Sequence, residues 1–274
     1  MITFPNAKIN LGLNVVARRA DGYHDIETVF LPIDLRDALE VVPSASGETT
    51  LATYGRAVDC PMEKNLVVRA YRLMCDHKPL PPVEIHLNKH IPDGAGLGGG
   101  SSDAAHMLLM LNEMFDVGLT KEELATMAAR LGADCAVFVY NRPMLATGIG
   151  EVLTPIELDL KGKFLALVKP PVAVSTAEAY GLVEPAQAVP AVREAIRLPL
   201  EQWDGLLVND FEPSVFARYP LLWQIKLGLL GRGARYAAMS GSGSTIYGIF
   251  DDVKLAENAV ADYAAYDTFV IAIG

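Results

Sequence analysis

The sequence predicts an α+β protein in two parts, and three observations carry that reading. Segments whose apolar residues recur every second position are mixed with segments of helical period, without a regular strand–helix alternation. A glycine-dense loop stands directly before an apolar helical stretch around residue 100. A Gly148-Ile149-Gly150 tract reads as a hinge, dividing the chain into a first domain (1–151) and a second (152–274).

The 274 residues are 51% hydrophobic and 20% charged, with a net charge of −10. That apolar content is too high for intrinsic disorder and sufficient for a large core. The acidic balance argues against a nucleic-acid partner, which needs basic surface to neutralise phosphates. It does not argue against a small anionic ligand in a local pocket. Cys60, Cys75 and Cys135 lack the spacing of a disulfide framework or a metal site and read as reduced thiols. No apolar run reaches the ~18 residues of a membrane span, and the N-terminus lacks a basic, apolar leader. A soluble cytoplasmic protein is expected, with no membrane partner. Its oligomeric state is not legible.

In order along the chain, Ala7–Val15 alternates apolar odd positions with polar Lys8, Asn10 and Asn14, the mark of a half-buried strand. Arg18–Gly22 is a charged turn, and His24–Leu35 a second strand. Asn65–Cys75 reads as a helix with Leu66, Ala70, Leu73 and Met74 on one stripe, and Val83–Leu87 as a short strand. An apolar helix is expected over Asp103–Phe115. Thr120 opens the next helix through a Thr-Lys-Glu-Glu capping box, and that helix ends near Gly132. The second part predicts a strand at Phe164–Val168 and helices at Ser175–Gly181, Pro190–Arg197 and Pro213–Leu230. Strands at Arg235–Met239 and Thr245–Phe250 flank a Ser-Gly-Ser-Gly-Ser turn. A helix (Val253–Tyr263) and a strand (Thr268–Ile273) close the chain.

Residues 94–102 hold five glycines and two serines before a helix. Glycine allows close backbone approach, successive N–H groups form an anion nest, and a helix N-terminus adds a positive dipole end. Phosphate cradling follows. A Walker A loop is excluded because no lysine precedes Ser101. Gly94-x-Gly96-x-x-Gly99 satisfies the dinucleotide fingerprint, but Asn88-Lys89-His90 interrupts the strand that motif requires. The protein-kinase signatures are missing.

With these residues in view, the sequence resembles the GHMP kinase superfamily. Pro5–Leu11 is similar to its first motif, Pro92–Ala105 to its ATP loop, and Met239–Thr245 to its C-terminal glycine motif. Arg19-Ala20-Asp21-Gly22-Tyr23-His24-Asp25-Ile26, together with Leu131–Phe138 and Val174–Tyr180, resembles the branch acting on a CDP-linked methylerythritol. The resemblance implies a two-domain fold. The N-terminal domain is expected to be like domain 2 of ribosomal protein S5, and the C-terminal one a ferredoxin-like sandwich. ATP and substrate are expected to meet in the cleft between them. The implied reaction moves the γ-phosphate of ATP to the 2-hydroxyl of the substrate, on the non-mevalonate route to isoprenoid precursors, with ATP as co-substrate and Mg²⁺.

The resemblance also assigns residues. Asp134 is the general base and Lys8 its electrostatic partner. The ATP side comprises Asn65, Lys89, Pro92, Asp93, Gly94, Ala95, Gly96, Leu97, Gly98, Gly99, Gly100, Ser101 and Ser102. Asn10, Tyr23, His24, Thr176 and Tyr180 fall on the substrate side, with Tyr23 and Tyr180 as faces for a cytosine and His24 as its edge partner. Asp103 stands where some relatives carry Asn, Asp210 and Ser240–Ser244 line the cleft, and Glu27, Asp103 and Asp134 are the conceivable metal partners. Plainer readings stand beside these: Lys8 and Lys89 as solvated charges, Asp134 and Asp103 as helix caps, Tyr180 as a core residue. A homoserine or mevalonate type kinase and a non-catalytic nucleotide-binding homologue are the alternatives.

Overall fold

A computed structural model describes residues 1–58, 60–186 and 190–274. The chain forms two compact units that interleave in sequence. One comprises residues 1–7, 35–93 and 98–142, the other 8–34, 94–97 and 143–274. This division follows contact density, so it differs from a cut at residue 151.

The first unit holds a four-stranded sheet in the order Ile2–Thr3, Ala38–Pro43, Val83–Lys89, Thr50–Gly55. Its last pair is parallel, with Leu51 opposite Ile85, and the others are antiparallel. Helices Leu66–His77, Gly99–Met114, Lys121–Ala129 and Cys135–Tyr140 belong to the same unit. Asn65 Oδ1 caps the first of these by accepting Val67 N–H at 3.0 Å. The Thr120–Glu123 capping box forms as expected. Strands Ala38–Pro43 and Thr50–Gly55 carry too short or too polar a pattern to be read locally; pairing with Val83–Lys89 makes them.

The second unit holds two sheets. One orders Asn6–Arg18, His24–Arg36, Met144–Thr147, Val152–Pro155. The other orders Tyr236–Met239, Ile246–Phe250, Phe164–Lys169, Asp267–Ala272, all antiparallel. Helices Thr176–Gly181, Val192–Ala195, Glu212–Arg218 and Pro220–Gly231 fall between the first and second of these strands in the chain, and Val253–Ala261 precedes the last, so the sheet follows the β-α-β-β-α-β ferredoxin-like order with an elaborated first crossover. Helix Pro220–Gly231 buries Leu222, Ile225 and Leu229 at helical spacing and packs on Tyr236–Met239 and Ile246–Phe250. Each such side chain contributes ~1.5–3 kcal/mol of burial.

Several expectations need correction. The strand from Asn6 is buried on both faces through Val15, not half-buried. The glycine-loop helix starts at Gly99, four residues before Asp103, because Gly98 (φ 70°) turns the chain and tertiary packing overrides the low helix propensity of glycine. Asp103 is therefore inside the helix rather than its cap. Gly148 (φ 69°) and Gly150 (φ 114°) form the turn of a hairpin between Met144–Thr147 and Val152–Pro155, not a hinge. The helix expected over 213–230 is two, Glu212–Arg218 and Pro220–Gly231, because Pro220 keeps Tyr219 out of helical geometry (ψ 74°). The helix expected over 190–197 is the short Val192–Ala195.

Candidate active site

In the second unit three distant segments meet at Lys8. Its ammonium donates to Asn10 Oδ1 at 2.6 Å and to the Gly96 carbonyl at 3.1 Å, and lies 5.1 Å from the Phe30 ring centroid. Asn10 Nδ2 donates to Thr28 Oγ1 at 3.0 Å, and Thr28 Oγ1 donates to the Gly12 carbonyl at 2.5 Å. Ser240 Oγ accepts Asn10 N–H at 3.2 Å and donates to the Gly96 carbonyl at 2.8 Å. Lys8 is only 2% exposed, which overturns the solvated reading. A buried ammonium without partners would be costly, and strand period two places Asn10 where Lys8 needs an acceptor. The Lys8 strand, the loop tetrad 94–97 and the 240–244 turn are thus one network. Thr28 carries no local signal, being one of many threonines in strands; Ser240 is legible only as one serine of the cleft-lining 240–244 turn, without its role on Asn10 and Gly96.

Glycine is required at Gly96. Its φ is +74°, and a Cβ there would collide with the Ser240 carbonyl. Asn209 Nδ2 fixes the adjoining turn by donating to the Met239 and Gly241 carbonyls, both at 2.8 Å. Thr176 Oγ1 lies 3.5 Å from Ser242 Oγ. Asp210 accepts Val15 N–H at 2.8 Å and Asn14 Nδ2 at 3.3 Å, and burial raises its pKa.

The charged turn presents Tyr23. Asp21 Oδ1 accepts Tyr23 N–H at 3.1 Å, Arg19 pairs with Asp21 and Asp25, and Tyr23 is left 61% exposed. His24 stacks on Tyr180, with centroids 4.9 Å apart and planes 18° apart. Tyr180 in turn meets Phe211 edge-on at 4.8 Å. Tyr180 is half-buried, neither a core tyrosine nor a fully presented face. Glu27 Oε1 accepts Arg193 N–H at 2.8 Å and Oε2 accepts Arg193 Nε at 2.6 Å. That carboxylate is already engaged, so Glu27 does not fit as a metal partner.

In the first unit, the glycine loop enters its helix at Gly99. Ser102 is fully buried, with its hydroxyl 3.3 Å from His106 Nδ1, whose pKa burial lowers. Ser101 hydrogen-bonds the Cys135 thiol, and burial pushes that thiol up to about 12. Asp134 stands one residue earlier, at the start of Cys135–Tyr140, and its side chain does not cap that helix. Lys89 is 7% exposed and pairs with Asp37 and with Asp103, so it is not a solvated charge. Burial works against its protonation, but the two carboxylates outweigh it and raise its pKa. Burial pushes Asp103 up to about 7 although Lys89 opposes this. Asp37 was not anticipated, because its partners lie far along the chain.

Among the described residues, no three His, Cys, Asp or Glu side chains gather to hold a metal. No described helix is long and apolar enough to cross a membrane.

A ferredoxin-like sheet, a glycine loop opening a helix, and a buried lysine tied to both glycine segments of its unit define a small-molecule kinase of the GHMP class. Residues 65–142 match the GHMP kinases N terminal domain, and residues 180–266 match GHMP kinases C terminal. The 4-diphosphocytidyl-2-C-methyl-D-erythritol kinase of Parabacteroides distasonis is 53% identical over 251 residues, 92% of each chain. A crystal structure of 4-(cytidine 5'-diphospho)-2C-methyl-D-erythritol kinase superposes with a TM-score of 0.80 at 33% identity, covering 100% of both chains. Homoserine kinase from Cytophaga hutchinsonii shares the fold alone, at 17% identity and a TM-score of 0.73 over 98% of this chain and 94% of that one. The chain belongs to the 4-diphosphocytidyl-2-C-methyl-D-erythritol kinase family of GHMP kinases. The expected α+β GHMP kinase fold is thereby borne out.

Proposed function

We propose that this kinase transfers the γ-phosphate of ATP to the 2-hydroxyl of 4-diphosphocytidyl-2-C-methyl-D-erythritol, in the cytoplasm, on the non-mevalonate route to isoprenoid precursors. The observation that carries the substrate is the aromatic group in the Asp21-Gly22-Tyr23-His24 tract: an exposed Tyr23 beside a His24 ring stacked on Tyr180. Stacking surfaces suit a pyrimidine and serve no purpose for homoserine or mevalonate. Thr176 contacts the sugar-alcohol and phosphate portion, and Asn10, whose Oδ1 and Nδ2 are taken by Lys8 and Thr28, serves that side of the site by holding Lys8. The glycine loop Pro92–Ser102, with Asn65 and Lys89, forms the nucleotide side. We take residue 151 as the module boundary, a reading compatible with the two matched segments 65–142 and 180–266.

In the reaction Asp134 accepts the proton of the 2-hydroxyl. The freed oxygen attacks the γ-phosphorus in line, and the bond to the bridging oxygen of ADP breaks. Lys8, held by Asn10 and Gly96, offsets the charge that develops on the moving phosphoryl group. Magnesium, which neutralises phosphate charge, fits as an ion carried by the triphosphate, since it needs few protein ligands and no cage is present among the described residues. The reading requires neither nucleic acid nor membrane.

Assays with ATP and, in turn, the CDP-linked alcohol, homoserine and mevalonate test this. Phosphorylation of the CDP-linked alcohol is expected. Turnover of homoserine or mevalonate alone would overturn the reading.

A further inference from the structure

A buried ion cluster stands at the base of the glycine loop. Lys89 Nζ donates to Asp37 Oδ2 and, at 2.6 Å, to Asp103 Oδ2. Asp37 Oδ1 accepts the backbone N–H groups of His90 at 2.5 Å and Ile91 at 2.8 Å, the residues that lead into the loop at Pro92. Asp103 belongs to the helix that leaves the loop at Gly99. That helix start rests on the cluster: a Cβ at Gly99 would lie 3.3 Å from Lys89 Nζ and 2.9 Å from Ile91 Cγ2. One carboxylate therefore holds the entry to the loop, the other sits on its exit, and one ammonium ties them together.

We propose that Asp37, Lys89 and Asp103 are positioning residues for the nucleotide, a staple across the two ends of the glycine loop. Five glycines give the loop wide conformational freedom, and its N–H groups bind phosphate well only if they are already oriented. The staple supplies that orientation. It does not act by attracting phosphate, because the lone cation faces two carboxyl groups and is almost completely buried. Asp103 Oδ1 has no hydrogen-bond partner among the described residues, so the exit carboxyl is held through Lys89.

This inference rests on ATP binding at the loop, not on which alcohol is phosphorylated. The test is the sign of the Asp37→Asn effect on ATP affinity, read by calorimetry without any alcohol. If Lys89 served as a direct phosphate ligand, removing a competing carboxylate would free its charge and tighten ATP. A staple predicts the reverse: ATP affinity about tenfold weaker and KM for ATP raised in step, with KM for the alcohol within about twofold. Asp103→Asn should weaken ATP in the same direction and serves as the reading if Asp37→Asn fails to fold. Unchanged or tighter ATP binding in the folded variants overturns the proposal, as does an equal rise in KM for the alcohol. Wild-type protein that binds ATP but does not phosphorylate the CDP-linked alcohol would overturn the substrate reading alone. Failure of wild type to bind ATP would overturn both.

Discussion

Lys8 Nζ donates to Asn10 Oδ1 at 2.6 Å, two residues along one strand. Asn10 in turn donates to Thr28, so its amide is oriented with the oxygen toward the ammonium. Lys8 is therefore fixed in place, and in the proposed reaction its charge would require little reorganisation during phosphoryl transfer. Lys8→Met is expected to lower kcat by ~10²–10³-fold while ATP still binds. Single-turnover kinetics beside ATP calorimetry check this, and loss of ATP binding would assign Lys8 to nucleotide capture instead.

Asp134→Asn removes the proposed proton acceptor and keeps the shape. A fall in turnover of ~10²–10⁴-fold is expected, with ATP affinity retained. Unchanged turnover would mean that another group takes the proton.

Tyr23 is held by the Asp21 turn yet is mostly exposed, so truncating it disturbs little packing. Losing one stacking face costs ~1–3 kcal/mol. Tyr23→Ala should raise KM for the CDP-linked alcohol about tenfold and leave KM for ATP unchanged. A rise confined to ATP would place the residue on the nucleotide side.

Gly96→Ala forces an L side chain to a φ of +74° and into the Ser240 carbonyl. A loss of ~2 kcal/mol or more is expected, with the thermal midpoint lowered by several degrees. Differential scanning calorimetry reads this directly. A stability equal to wild type would show that the 240–244 turn yields without cost.

Asp103 carries a pKa raised to about 7 by burial, against a usual value of 3.8. Between those values the folded protein holds a proton that the unfolded chain has released. This group's contribution to stability therefore falls as pH rises from about 4 to about 7. Asp103→Asn cannot titrate, so its thermal midpoint relative to wild type should climb across that range. A difference independent of pH would mean that the carboxyl is ionised throughout, its charge fully matched by Lys89.

Much of the site was legible because its signals are local. Period two in Ala7–Val15 put Lys8 and Asn10 on one face, and glycine density marked the loop proposed to hold phosphate. The Thr120 capping box is a four-residue pattern and formed as read. The hairpin at Gly148–Gly150 is not legible locally, because paired glycines mark a turn without saying what it joins.

By itself the sequence determined the mixed architecture, the three motif segments, the family and the residue types that the chemistry needs. Each is written in short-range pattern or composition. Only the tertiary structure decided which partner each charge takes. Ser240 reaches Asn10 across 230 residues of chain, and Asp37 reaches Lys89 across 52. Both lysines read locally as ordinary polar-face or pre-loop charges. Burial makes each depend on acceptors that folding brings to it from elsewhere: Asn10 and the Gly96 carbonyl for Lys8, Asp37 and Asp103 for Lys89.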